Sequence, residues 1–173
     1  VMRSFDCRAG STIAVFGGGP VGQAAVMAAA VRGCARIILV EPIAARRELG
    51  LEFGASDVID PADGDVTAAI RALLPDGVDF ALETSGREAV MEAALGALTS
   101  HGVLGLVGVP PSAESTLSIN IAGMITFGHR IIGIVEGDSD VQTFIPELIA
   151  LHRAGKFPFD RLVKSFPLSA INE

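Results

Sequence analysis

Residues Thr12 to Phe16 form an unbroken apolar run that stops at three consecutive glycines. Such a run predicts a strand buried on both faces that enters a tight turn. Pro20 to Arg32, rich in Ala, Val and Met, is apolar on most faces and closes at Gly33, the position expected just past a helix end. The alternation then repeats. Ala35 to Val40 predicts a second strand ending in Glu41, and Ala44 to Phe53 a second helix stopped by Gly54. A short strand at Asp57 to Ile59, a helix from about Val66 to Leu74, a strand from Val78 to Leu82, a helix from Arg87 to Leu98 and a strand from Val103 to Val107 follow.

Pro110 and Pro111 break the rhythm, and the Ser-rich stretch from Ser112 to Asn120 predicts a loop. Arg130 to Val135 resumes as a sixth strand. The last helix ends near Gly155. Its start is either capped by Asp138, Ser139 or Asp140 or set after Thr143 by Pro146. Strands alternating with helices at this spacing predict an α/β fold of the Rossmann, doubly wound kind, with a six-stranded parallel sheet and helices on both faces. No repeat of the solenoid kind and no low-complexity segment divides it.

Composition narrows the function. Half of the 173 residues are hydrophobic, but there is no Trp and no Tyr and there are 20 glycines, so burial rests on aliphatic side chains around close backbone approaches. Thirteen basic against twenty acidic residues give a net charge of -7, which repels a phosphate backbone and disfavours nucleic acid as a partner. Cys7 and Cys34 are too few for a disulfide framework, and with scattered His101, His129 and His152 they offer no metal-ligand spacing. Both cysteines read as ordinary thiols of a reducing compartment. No apolar run approaches the about 20 residues that span a bilayer. The expectation is a cytoplasmic domain with neither a metal site nor a catalytic residue of its own.

Chemistry enters at Gly17-Gly18-Gly19-Pro20-Val21-Gly22, which fits G-x-G-x-x-G at Gly17, Gly19 and Gly22. With so many glycines the string alone is weak, and its context carries the reading. It follows the first predicted strand and opens the first predicted helix, and Glu41 stands 19 positions past Gly22 at the end of the second strand. Gly17 permits the tight turn, Gly19 lets the backbone approach a pyrophosphate, and Gly22 lets the helix pack closely on its strand. The N–H groups and positive dipole end of the helix at Pro20 to Gly22 then face the negative ligand, and Pro20 costs no needed donor. Glu41 is placed to accept hydrogen bonds from ribose hydroxyls.

At these residues the sequence resembles the coenzyme-binding half of the medium-chain, zinc-containing alcohol dehydrogenases. The run Gly10 to Gly22 is similar to that family's opening strand and turn; Leu51 to Ala55, Gly77 to Phe80, Glu83 to Gly86 and Gly105 to Val109 resemble later blocks. Within the family, Gly133 to Asp138, Phe144 to Pro146 and Gly155 to Asp160 are most similar to the aryl-alcohol (benzyl alcohol) dehydrogenases. The resemblance implies NAD as cofactor and hydride transfer to it from an alcohol, expected to be an aryl primary alcohol. It puts Gly19, Pro20 and Val21 at the pyrophosphate and Glu41 at the adenosine ribose, with Arg46 one helical turn on. Thr84 and Ser85 fall beside adenine and ribose, although both equally suit a polar strand exit. Val107, Gly108, Val109 and the stretch Ile134 to Glu136 fall near the nicotinamide.

The chain also departs from the family. Glu41 stands where Asp is common, which lengthens the reach of the carboxylate. The cysteine and histidine ligands of the family's catalytic and structural zinc ions are missing, so zinc is expected only in a longer parent protein. Residues 1–136 then form the NAD-binding domain, and 137–173 a terminal helix and strand leading back toward a catalytic domain outside this chain. The family's pairing of its sixth strand across a two-fold axis implies a homodimer through 130–136, where Arg130 to Ile134 offers an apolar edge. Two other readings compete. A zinc-free, NADPH-dependent quinone or enone reductase is opposed by the charge of Glu41. A non-catalytic NAD-sensing module would need an effector or DNA-reading segment, which an acidic chain without a basic helix does not offer.

Overall fold

The computed structural model describes residues 1–172. Strands β1 (Thr12–Phe16), β2 (Arg36–Val40), β3 (Asp57–Ile59), β4 (Val78–Glu83), β5 (Leu98–Leu106) and β6 (Arg130–Gly133) form one sheet in the order β3-β2-β1-β4-β5-β6, with every neighbouring pair parallel. Helices α1 (Pro20–Arg32), α2 (Ala44–Glu52), α3 (Val66–Leu73) and α4 (Glu88–Gly96) link the first five strands. α5 (Ile121–Phe127) precedes β6 and α6 (Val141–Arg153) follows it. This is the expected six-stranded, Rossmann-like α/β fold.

Period-two alternation sends successive strand residues to opposite cores. Ile13 and Val15 of β1, Ile37 and Leu39 of β2, and Phe80 and Leu82 of β4 pack with α1 and with Leu148 and Leu151 of α6. Ala14 and Phe16, Ile38 and Val40, and Ala81 pack on the other face with Ile70 of α3 and Ala94 of α4. Both faces are therefore apolar, which explains why the strands read as continuous hydrophobic runs. α1 is buried along Ala25 to Ala29, where small side chains let it lie close to the sheet.

The structure corrects several boundaries. The fourth helix ends at Gly96 rather than Leu98, and β5 begins at Leu98 rather than Val103. The register of β5 against β4 shifts between Val78 and Phe80, and His101, at φ +62°, carries the irregularity that lets polar Thr99 and Ser100 precede the apolar half of the strand. α5 was not expected at all: it is seven residues long and follows a Ser-rich loop. Asn120 caps it by accepting from Gly123 N at 2.9 Å. β6 stops at Gly133, so Ile134 to Glu136 lies beyond the strand. Asp140 proves to be the cap of α6, accepting from Gln142 N at 3.1 Å, and Pro146 sits inside the helix, forgoing one backbone donor. The expected terminal strand is absent among the described residues, where Phe159–Leu162 and Leu168–Ala170 form short 3-10 turns instead.

The strand order reverses between β1 and β4, so the connections after these strands leave toward opposite faces. Their carboxyl ends open a crevice at that point.

Candidate cofactor site

The turn after β1 is shaped by what cannot fit in it. Gly17 holds φ +102°, and a Cβ there would sit 2.5 Å from Thr84 Oγ1. A Cβ on Gly22 would sit 1.8 Å from the Gly17 carbonyl oxygen, so the first turn of α1 touches the glycine turn backbone to backbone. Gly18, which the motif leaves free, is constrained as well, since a Cβ on it would lie 2.8 Å from Glu41 Cγ. Gly19 is different: nothing lies within 4 Å of the position its Cβ would take. The space in front of Gly19 is open at the amino end of α1, where the first-turn N–H groups of Val21 and Gly22 have no partner within the helix.

Glu41 follows β2 and is only 2% exposed. Its Oε2 accepts from Gly18 N at 2.5 Å and its Oε1 from Ile43 N at 2.9 Å. The carboxylate thus fastens the glycine turn to the turn after β2. Each oxygen keeps a second lone pair, and the group lines the cleft in front of Gly19. Arg46 Nη1 lies 3.8 Å from Glu41 Oε1 with about half of its side chain exposed. Arg47 is committed elsewhere, with Nη1 donating to Glu41 O at 2.7 Å and lying 2.8 Å from Asp60 Oδ2.

On the other side of β1, Thr84 Oγ1 donates to Phe16 O at 2.9 Å. Ser85 gives both its N–H, at 2.6 Å, and its hydroxyl to Glu83 Oε1. These bonds match the strand-exit reading of Thr84 and Ser85, although both residues border the cleft. Glu83, fully buried at the end of β4, is the group the sequence did not single out. It also accepts from Gly86 N at 3.1 Å, and a Cβ on Gly108 would lie 2.7 Å from its Oε2. Only the geometry of the following turns shows what this carboxylate binds.

The cleft has a volume of about 600 Å³. Around it stand nine of the residues singled out from the sequence, namely Gly17, Gly19, Pro20, Val21, Gly22, Glu41, Arg46, Thr84 and Ser85. Its remaining wall is largely apolar, with Pro42 and Ile43 past β2, Pro61 past β3, and Val66, Val90 and Ala93 from α3 and α4. Sequence reasoning missed these; their signal is position just beyond a strand end or on an inward helix face. Val107, Gly108, Val109, Ile134 and Glu136 lie outside this cleft. Val107 and Gly108 donate their N–H groups to Glu83 O, Val109 is 87% exposed, and Ile134 N donates to Leu106 O. Glu136 begins a short turn at φ +50°.

A narrow, apolar-walled cleft with a helix amino end and a buried carboxylate at its mouth suits an adenine-ribose-pyrophosphate ligand. Among the described residues no group of three or more His, Cys, Asp or Glu side chains could hold a metal ion. No helix among them is long and apolar enough to cross a membrane.

The profile of the zinc-binding dehydrogenases matches residues 20–150. The chain belongs to that family. Geraniol dehydrogenase of Castellaniella defragrans is 41% identical over 173 residues, covering 99% of this chain and 46% of that protein. Among solved structures, an alcohol dehydrogenase zinc-binding domain protein from Burkholderia ambifaria superposes with a TM-score of 0.96 at 46% identity, covering 99% of this chain and 46% of that one. Benzyl alcohol dehydrogenase of Acinetobacter calcoaceticus gives a TM-score of 0.92 at 36% identity, covering 96% and 46%. A zinc-binding dehydrogenase from Sinorhizobium meliloti, bound to NADP, gives 0.82 at 29% identity, covering 90% and 45%. The chain spans less than half the length of these relatives. It is homologous to the coenzyme-binding part of these zinc-type dehydrogenases.

Proposed function

We propose that this chain is the NAD-binding domain of an oxidoreductase that moves hydride between an alcohol, of the aryl primary kind, and NAD. The observation that carries the reading is the buried Glu41 carboxylate, which reaches from the end of β2 across to the glycine turn and borders the open space in front of Gly19. In this reading the first turn of α1, with Gly19, Pro20 and Val21, holds the pyrophosphate, and the spare lone pairs of Glu41 hold the ribose hydroxyls. Bound there, the cofactor would supply the hydride-accepting nicotinamide. Val107 to Val109 and Ile134 to Glu136 continue the carboxyl edge of the sheet beyond the cleft and are the proposed neighbours of that ring. The chain itself binds, orients and excludes water; the remainder of a longer protein, residues 137–173 leading toward it, would bring zinc and the substrate pocket. The likeness to benzyl alcohol dehydrogenase supports an aryl substrate, while the likeness to geraniol dehydrogenase supports a non-aromatic one.

One observation favours NADP instead. Arg46 lies half-exposed at the cleft mouth, 3.8 Å from Glu41 Oε1, where a 2′-phosphate would meet it, and the Sinorhizobium relative carries NADP. The 2′-phosphate brings about two negative charges next to a Glu41 carboxylate that cannot move without releasing Gly18 N and Ile43 N. We therefore expect NAD to bind more tightly than NADP by about 2 kcal/mol, the scale of a hydrogen bond to a charged group. Calorimetric titration of both cofactors into the chain is the test, and equal or tighter NADP binding overturns the assignment. The outer edge of β6 leaves ladder groups unpaired, which supports a homodimer through 130–136; light scattering showing a monomer refutes it.

A further inference from the structure

Behind the glycine turn lies a buried side-chain amide. Gln23, in the first half of α1, is 1% exposed, although glutamine is a residue that mostly stays at the surface. Its Nε2 donates to Gly18 O at 3.2 Å and to Arg46 O at 2.8 Å, so one amide group ties the turn after β1 to the first turn of α2. Its Oε1 is buried with no hydrogen-bond partner among the described residues. An apolar side chain of similar size would avoid burying that acceptor. What an apolar side chain lacks is the pair of donors.

The bond to Gly18 O sets the orientation of a peptide plane. The described peptide bonds are trans, so the Gly18 C=O and the Gly19 N–H of the same unit point in opposite directions. Holding the carbonyl inward against α1 and α2 turns the Gly19 N–H away from them, and Gly19 borders the cleft whereas Gly18 does not. Gly17 N is bonded to Val40 O and Gly18 N to Glu41 Oε2, while Gly19 N has no such partner among the described residues. With glycine on both sides, the plane between Gly18 and Gly19 meets no side chain of its own that would stop it turning over. Glu41 fixes the preceding plane, between Gly17 and Gly18; Gln23 fixes this one.

We propose that Gln23 is a positioning residue for the pyrophosphate of the cofactor: it aims the Gly19 N–H at the cleft as a donor and keeps the Gly18 carbonyl out of its place. The assignment rests on the cleft being a dinucleotide site. Without the amide donor, Gly18 O is buried and unpaired, and turning the plane over brings it out to water. The cleft then presents a carbonyl oxygen, the negative end of a dipole, where the phosphate needs a donor. The adenosine end of the ligand is insulated from this change, because Glu41 keeps its own bonds to Gly18 N and Ile43 N.

The test is Gln23→Met, which keeps the length of the side chain, removes both donors and removes the unpartnered Oε1, so that the fold is retained. Wild type and variant, each checked for cooperative urea unfolding, are titrated with NAD, ADP and adenosine while heteronuclear NMR follows the backbone amides. In the variant, NAD and ADP should weaken by about tenfold and adenosine by less than about twofold. In wild type, ADP but not adenosine should move the Gly19 amide proton downfield, as a hydrogen bond to an anion does, and in the variant that shift should vanish. Equal weakening of ADP and adenosine would mean that Gln23 only braces the turn, and no weakening that it does not set the plane; either result overturns the assignment. If Gln23→Met does not fold, Gln23→Leu, which lacks the same donors, is judged on the same split. A wild type that binds neither NAD nor ADP overturns the cofactor reading itself, whereas normal wild-type binding with an unchanged ratio of ADP to adenosine affinity in the variant overturns the role of Gln23 alone.

Discussion

Two buried carboxylates flank β1, and they differ in what they have left to give. Glu41, after β2, and Glu83, at the end of β4, are both almost inaccessible and both hold a backbone N–H of a glycine-containing turn. Glu83 carries more donors and faces no cavity: Ser85 N, the Ser85 hydroxyl and Gly86 N converge on it, and Gly108 packs against its Oε2. Glu41 has two backbone partners and a distant arginine, and one side of it faces the cleft. Burial alone therefore does not mark a ligand-binding carboxylate. Unspent acceptor capacity facing a cavity does, and on that criterion Glu41 is the proposed ligand group and Glu83 the strut that keeps the turns after β4 and β5 together.

The largest effect expected from breaking this distinction is at Glu83. Glu83→Ala strands the buried N–H of Gly86 and the partly buried one of Ser85 and opens a cavity beneath Gly108, at a cost of about 3 kcal/mol in stability. Urea unfolding checks it; a loss below about 1 kcal/mol would show that water replaces the carboxylate and that Glu83 is no strut. Because Glu83 does not border the cleft, NAD affinity per folded molecule should fall far less than stability does.

Glu41→Ala should show the converse. Ile43 borders the cleft, where water can satisfy its N–H, and the buried Gly18 N is the one donor stranded, so stability should drop by about 1–2 kcal/mol, less than in Glu83→Ala. NAD affinity should fall by about 2 kcal/mol, roughly thirtyfold, while NADP binding changes little. Paired calorimetry on wild type and variant measures this. If NAD and NADP weaken together, Glu41 acts only by holding the turn.

The same contrast shows what could be read from the chain before its structure was known. β1, the glycine turn, α1 and β2 were legible because an apolar run, a Gly-x-Gly-x-x-Gly string and a strand-end carboxylate each follow from local chemistry. The roles of Gly18 and Glu83 were not, because each depends on a partner more than twenty residues away or on a turn whose path no pattern encodes. α5 was hidden for a different reason. Its seven residues are too few for a helical period to declare itself, and Ile121 and Ile125 point outward, so no inward apolar stripe marks it. The first half of β5 was hidden by Thr99 and Ser100, polar residues in a strand whose ladder bends at His101.

A smaller effect sharpens the division on the Glu83 side of β1. Thr84→Val removes the hydroxyl that donates to Phe16 O while keeping the shape of the side chain, at an expected cost of about 1 kcal/mol in stability. If Thr84 is a strand-exit residue, NAD affinity stays within twofold of wild type. A larger fall in affinity with stability unchanged would transfer Thr84 to the ligand-binding group.

The smallest expected effect lies at Arg46, and it tests the Glu41 side from the opposite direction. The guanidinium is half-exposed and 3.8 Å from Glu41 Oε1, too far for a close hydrogen-bonded pair and open to solvent screening. Removing it should leave stability within about 0.5 kcal/mol of wild type. Its effect on NAD should be equally slight, because the ribose hydroxyls are assigned to the carboxylate. NADP is the discriminating ligand: without Arg46 its 2′-phosphate faces Glu41 with no counter-charge, so Arg46→Ala should weaken NADP by about fivefold, or about 1 kcal/mol, and widen the preference for NAD. Titrations at low and high salt separate the causes, since the arginine contribution shrinks as salt screens it while the hydrogen bonds to Glu41 persist. NADP affinity unchanged in Arg46→Ala at low salt would show that the arginine plays no part in the choice, and that Glu41 sets it alone.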